Sequence, residues 1–170
     1  MFNILYAPWR NDYVTAKKIE GCVFCHIGKS VDEEEYGILY KGEHSFVVMN
    51  KYPYTPGHFM VIPYRHTDTL ESLDQKEWRE ITDLTKSGVE LLKSVLKAEG
   101  VNIGMNLGSA AGAGIEEHIH MHLVPRWSRD TNFITSISHT RVYSTDFFAI
   151  YQKLKEHADR FFKKGIEIER

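Results

Sequence analysis

The chain has 170 residues, a length that buries one full hydrophobic core without disulfide staples. Hydrophobic residues make up 42% and charged residues 26%, which excludes collagen-like, disordered and low-complexity classes. With 21 basic against 23 acidic residues the net charge is −2, so the chain has no broad basic footprint for nucleic acid. An anionic substrate has to be held locally, by backbone amides and a few arginines. No apolar run approaches the roughly 18 residues needed to span a bilayer. The opening MFNILYAPWRND lacks the basic-then-apolar pattern of a signal peptide. The expectation is one cytoplasmic domain over residues 1–170, with no membrane partner, internal repeat or linker.

An aromatic N-terminal arm (Tyr6, Trp9, Tyr13) leads to Cys22-Val-Phe-Cys25, and the acidic stretch Asp32 to Glu35 reads as solvated surface. Three β-type runs follow, Gly37 to Lys41, Ser45 to Asn50 and His58 to Pro63, separated by turn signals such as Gly42-Glu43 and Pro56-Gly57. The strongest helix signal covers Asp74 to Glu99. Asp74 followed by Glu77 resembles a capping box, and apolar residues recur at Trp78, Ile81, Leu84, Leu91, Leu92, Val95 and Leu96. Gly100 should stop it. A strand over Val101 to Asn106 leads into the glycine-rich run 108–114, and another strand covers His118 to Val124, ended by Pro125. A C-terminal helix fits Thr145 to Lys163, with Phe148, Tyr151, Leu154, Ala158 and Phe161 as its apolar stripe. This order predicts an α+β fold, an antiparallel sheet with a long central helix and a C-terminal helix.

The chemistry concentrates in His118-Ile-His120-Met-His122-Leu-Val-Pro125-Arg126-Trp127. In a strand alternate side chains share a face, so the three imidazoles line up while Ile119, Met121 and Leu123 face the core. Histidine at every second position is poor core material, because each ring brings nitrogens that need partners. Three such rings could bind a metal, or they could handle phosphate with one acting as nucleophile. Gly112-Ala-Gly114 lets backbone N–H groups converge on an anion, which favours the phosphate reading. Both cysteines sit in one Cys-x-x-Cys step, which reads as a metal half-site or a redox dithiol.

These residues resemble the histidine triad family of nucleotide hydrolases and transferases, whose signature is His-x-His-x-His followed by apolar residues. The resemblance covers about residues 22 to 127. It takes in Cys22-Val-Phe-Cys25, Asn50 at the end of Phe46-Val-Val-Met-Asn50, Pro56-Gly57-His58-Phe-Met-Val-Ile-Pro63, His66, the glycine-rich run and the triad. The flanks, Tyr6-Ala-Pro-Trp9-Arg10 and Pro125-Arg126-Trp127 through Asn132-Phe133 to Thr140-Arg141-Val142, resemble the bacterial branch related to diadenosine tetraphosphate phosphorylases.

The resemblance implies that His120 is the nucleophile, attacking the α-phosphorus of a nucleotide to form a nucleotidyl-imidazole that water or phosphate then resolves. It implies that His122 assists the leaving oxygen, and that Asn106 and the amides around Ala113 and Gly114 bind phosphate oxygens. Asn50 matches the position that contacts the ribose. Several family members carry Gln or Ser just before the triad where this chain has Ala113-Gly114, so backbone amides or Ser109 must serve as donors.

Cys22, Cys25, His66 and His118 match a structural zinc site found in part of the family, and two thiolates with two imidazoles suit that ion. Inert buried thiols are the plainer alternative. His26, His44, His139 and His157 read as surface or capping residues, and His58 as support for the fold. Arg126, Arg129 and Arg141 are candidate polyphosphate or surface charges, and Trp127 reads as packing. The resemblance also implies a homodimer. The leading expectation is cleavage of dinucleoside polyphosphates by phosphorolysis or hydrolysis. Alternatives are a nucleoside phosphoramidase and a zinc-stabilised nucleotide-binding module without turnover.

Overall fold

The computed structural model describes residues 20–128, 130, 133, 137 and 145–167. The aromatic arm and most of the second flank, with Arg129, His139 and Arg141, lie outside the described residues. The described helices are α1 (Val23–Lys29), α2 (Glu33–Tyr36), α3 (Gln75–Val95) and α4 (Phe147–Glu167). The strands are β1 (Ile38–Lys41), β2 (Ser45–Met49), β3 (Phe59–Pro63), β4 (Gly100–Gly104) and β5 (Met121–Arg126). They form one antiparallel sheet in the order β1-β2-β3-β5-β4, so the α+β expectation holds.

Strands β2 and β3 are buried along their whole length because both faces of the sheet are covered. Val47, Met49, Phe59, Val61 and Leu123 pack with Ile81, Leu84, Leu91 and Leu92 of α3 and with Tyr151, Leu154 and Phe162 of α4. Phe46, Val48, Met60 and Ile62 face the other way and pack on Phe24 of α1. The period-2 alternation of strand side chains thus divides each strand between two apolar cores. Gly88 lets α3 approach closely, since a Cβ there would lie 2.8 Å from Leu123 and 2.9 Å from the Phe59 ring.

The capping box at the start of α3 is present in full: Asp74 accepts from the Glu77 N–H, and Glu77 accepts from the Asp74 N–H. The helix ends earlier than the sequence suggests. Leu96 closes it, Lys97 adopts φ 55°, and the chain has already turned before Gly100 begins β4. Trp78, counted on the apolar stripe, is exposed, as is Phe148 of α4; Ile150 and Phe162 face the core instead. The acidic stretch is not merely solvated surface, because Asp32 caps α2 and Glu33 pairs with Lys155 of α4.

Pro125 does not end the last strand, and β5 runs through it to Arg126. The carbonyl of Pro125 accepts the Thr55 hydroxyl, so its missing N–H would point toward that same loop. A strand residue turns both backbone groups to one edge, and here that edge is not the β4 ladder. The strand also starts later than expected, at Met121. His118 and His120 precede the ladder and are held by other means.

Candidate functional site

Strand β3 positions the site. Its register sets Met60 opposite His122, while Gly104 of β4 lies opposite the same histidine from the other side. The chain leaving β4 therefore starts its glycine-rich excursion beside His122 and returns at His118. Upstream of β5, the Ile119 N–H donates to Thr67 O at 2.8 Å. The segment bearing Thr67 is fixed in turn by Arg65, whose Nε donates to both Glu77 oxygens at 2.7 and 2.9 Å. The cap of α3 and the entry to the triad are one connected assembly.

The three triad rings form a row on the α1 side of the sheet. Ring centroids of His120 and His122 lie 4.7 Å apart, and Phe24 packs on both His118 and His120. Backbone partners decide which nitrogen of each ring carries the proton, because a carbonyl only accepts. His120 Nδ1 donates to His118 O at 2.9 Å, which leaves Nε2 with its lone pair. His118 Nε2 donates to Pro63 O at 2.9 Å, which leaves Nδ1 with its own.

His58 joins the row, a residue the sequence reading assigned only to support. It is wholly buried, and its Nε2 lies 2.9 Å from His122 Nδ1. The Tyr54 N–H donates to His58 Nδ1 at 3.1 Å, so the His58 proton sits on Nε2 and is given to His122. His122 then carries its own proton on Nε2. The signal for this role was the Pro56-Gly57 turn. Gly57 has φ +86°, and a Cβ there would meet Leu96 at 2.4 Å, so only glycine delivers His58 inward at this point.

All four rings are pushed toward the neutral form. Burial, with His122 and His120 adding to it, takes His58 down to about 3. Burial and the neighbouring His120 take His122 to about 4. Burial also lowers His120 and His118, against the carbonyl hydrogen bonds that favour their charged forms. The result is one ring offering a lone pair next to one offering an N–H, which is the equipment for displacement at a phosphorus atom.

Asn50 lies beside this row: its amide nitrogen is 3.4 Å from both His58 nitrogens, and its oxygen accepts the Tyr52 N–H at 2.9 Å. Asn106 is half-buried two residues beyond Gly104. In the glycine-rich run, Ser109 opens an exposed single turn. The Gly112 and Ala113 N–H groups bond back to Ser109 O and Gly108 O at 2.9 and 3.4 Å. No backbone carbonyl among the described residues takes the Gly114 N–H.

Cys22, Cys25, His66 and His118 converge, with their four donor atoms within 4.8 Å of one another. His118 Nδ1 is 3.3 Å from Cys22 Sγ and 3.7 Å from Cys25 Sγ, and His66 Nδ1 is 3.4 Å from Cys25 Sγ. The His118 lone pair is aimed into this cluster because Pro63 O holds its other nitrogen, an arrangement that supports a metal-binding imidazole. Two thiols and two imidazoles fit zinc as a closed set, and the ion would cross-link α1 to the strand carrying the triad. Burial and the adjacent Cys22 raise the Cys25 thiol pKa.

Three further candidates make structural contacts. Arg126 is occupied by Asp130 and Asn102, Trp127 donates to Lys97 O, and His26 meets the Tyr36 hydroxyl. No described helix is long and apolar enough to cross a membrane.

The histidine row and the Cys2His2 cluster on this antiparallel sheet are those of the histidine triad class, and the comparisons agree. The HIT domain family model matches residues 31–129. The chain belongs to the HIT family. It is 37% identical over 147 residues to the AP-4-A phosphorylase of Mycobacterium tuberculosis, covering 81% of this chain and 75% of that protein. It is 30% identical over 93 residues to the asymmetrical bis(5'-nucleosyl)-tetraphosphatase of Schizosaccharomyces pombe, covering 55% of this chain and 50% of that one. Among solved structures it is similar to a Zn-bound histidine triad family protein from Mycobacterium smegmatis, with TM-score 0.69 and 26% identity over 85% of this chain and 97% of that one.

Proposed function

We propose that the protein cleaves dinucleoside polyphosphates by phosphorolysis, through a covalent nucleotidyl-histidine intermediate. The observation that carries this reading is the proton arrangement of the row: His120 Nε2 free, His122 Nε2 protonated. His120 Nε2 attacks the α-phosphorus, and the bond to the departing nucleoside polyphosphate oxygen breaks as the N–P bond forms. The His122 N–H hydrogen-bonds that oxygen as its charge builds. Inorganic phosphate then attacks the same phosphorus, and the N–P electrons return to His120. Asn50 contacts the ribose, and Asn106, Ser109 and the Gly114 amide hold phosphate oxygens, the Ala113 N–H joining them if it leaves Gly108 O.

Phosphate suits this site better than water. Water must lose a proton as it attacks, and rings held at about 3 and about 4 are weak bases for that task. A phosphate oxygen arrives already ionised, and its attack retraces the departure of the leaving oxygen. Likeness to the M. tuberculosis AP-4-A phosphorylase supports this acceptor, while likeness to the S. pombe tetraphosphatase favours water as a second reading.

Incubation with diadenosine tetraphosphate, with and without phosphate, tests the proposal. ADP plus ATP formed only with phosphate is the expected result. AMP plus ATP means hydrolysis, and binding without turnover means a binding module. Turnover confined to nucleoside phosphoramidates would assign a phosphoramidase.

The reading includes one structural zinc held by Cys22, Cys25, His66 and His118, and a homodimer. Strand β4 has β5 as its one strand neighbour among the described residues and leaves Ile103 half-exposed on an open edge. An open apolar edge of this kind is a template for a second chain. Light scattering at micromolar concentration reads the oligomeric state directly, and a monomer would remove the dimer.

A further inference from the structure

The Tyr54 side chain touches both rings of the hydrogen-bonded His58–His122 pair. Its ring lies 4.7 Å from His58 at 43°, and 6.0 Å from His122 in a nearly parallel arrangement. Its backbone N–H is also the donor that occupies His58 Nδ1. The ring is 55% exposed while His58 beneath it is wholly buried, so Tyr54 has solvent on one side and the imidazole pair on the other. The adjacent residue anchors it: the buried Thr55 hydroxyl donates to Pro125 O at 2.9 Å, tying the loop to the strand of the triad.

We propose that Tyr54 is a positioning residue for departure of the leaving group, its ring covering the His58–His122 hydrogen bond and holding the His122 N–H in the donating position. The proposal rests on the displacement reading given above. The physical reason is competition with water. A solvent molecule reaching the His58–His122 contact offers His122 Nδ1 another donor and His58 Nε2 another acceptor, so His122 gains freedom to turn or to take up a second proton. Among the described residues, the titratable groups facing His122 are His58 from the loop before β3, His120 on its own segment, and Tyr54. None is a carboxylate, so the cover has no charge to fall back on. An aromatic face meets these needs without a hydroxyl, since the stacking and the exclusion of water both come from the ring.

The test compares Tyr54→Ala and Tyr54→Phe with the wild type on two substrates, diadenosine tetraphosphate and the p-nitrophenyl ester of AMP. Nitrophenolate leaves without help, whereas the polyphosphate oxygen needs the His122 N–H. Tyr54→Ala is expected to lower kcat about tenfold or more on diadenosine tetraphosphate and about threefold or less on the nitrophenyl ester, with KM moving little. Tyr54→Phe should restore wild-type rates on both. Long-range 15N NMR of the imidazoles gives a readout that a general loss of packing would not produce. The wild type should show His58 and His122 as single Nε2–H tautomers, and Tyr54→Ala should show His122 averaged between nitrogens or titrating at higher pH.

An equal loss on both substrates with unchanged imidazole spectra would overturn the proposal, as would Tyr54→Phe behaving like Tyr54→Ala. Should Tyr54→Ala fail to fold, Tyr54→Val takes its place with the same expectations. A wild type that turns over neither substrate defeats the displacement reading instead, and the NMR comparison still reports whether Tyr54 holds the pair.

Discussion

The carbonyl oxygen of His118 accepts a hydrogen bond from Nδ1 of His120 at 2.9 Å. One residue thereby serves two sets, with its ring in the Cys2His2 cluster and its backbone fixing the free nitrogen of the proposed nucleophile. The candidate metal cluster and the proposed nucleophile are adjacent links of a single chain of contacts.

That adjacency predicts what zinc removal does. Protein purified without chelator should carry one zinc per chain by elemental analysis, and Cys22→Ser or Cys25→Ser should lose it. Thiolates must be deprotonated to bind, so acidification should release the ion as well. Loss of zinc should lower both the melting temperature and kcat, because α1 and the His118 segment lose their cross-link together. Zinc-free, fully reduced protein with unchanged stability and activity would sink the assignment.

His120→Ala or His120→Asn should reduce turnover by roughly 10³-fold or more while leaving nucleotide affinity nearly unchanged, because a covalent route loses its nucleophile. Rapid-quench mass spectrometry of the wild type should find the nucleotidyl adduct on the peptide holding His120. An adduct on His118 or His122 would show that the roles are misassigned.

His122→Ala and His58→Ala should behave as a related pair. The first removes the donor to the leaving oxygen, at a cost of about 10²-fold in kcat. The second frees His122 to turn, removes a wholly buried ring and leaves the part-buried Tyr54 N–H without its acceptor, which together destabilise the fold by about 1–3 kcal/mol. Their double variant should lose far less activity than the product of the single losses, since both act through the same N–H. Multiplicative losses in steady-state kinetics would argue that the two rings work independently.

The buried imidazoles also set an acid limit on stability. His58 and His122 have folded-state pKa values of about 3 and about 4, below the ordinary histidine value of 6.5. Between those values the unfolded chain binds more protons than the folded one, so stability is full above pH 6.5 and falls as the pH drops toward 3. His58 contributes most of this, on the order of a few kcal/mol, because His122 is partly open to solvent and screened. Denaturant midpoints measured from pH 7 to pH 4 should decline, and the decline should be shallower in His58→Asn. A flat profile in the wild type would show that both rings protonate freely in the folded state.

The sequence by itself determined the local structure and the chemical inventory. Runs of β-branched and aromatic residues between turn signals drew β2 and β3, the Asp74–Glu77 spacing drew the start of α3, and His-x-His-x-His with Cys-x-x-Cys named most of the candidate reacting and ligating side chains. Each of these signals resides in residues a few positions apart, where chain geometry fixes which side chains share a face. Tertiary structure decided what depends on partners far along the chain. Pro125 stays in β5 because its carbonyl meets Thr55, 70 residues away in sequence. The tautomer of His118 follows from Pro63 O, 55 residues away in sequence, and His58 enters the site only because β3 pairs with β5. A lone histidine after a Pro-Gly turn carries no periodic mark of function. Its role exists only once the sheet has brought Nε2 to within 2.9 Å of His122.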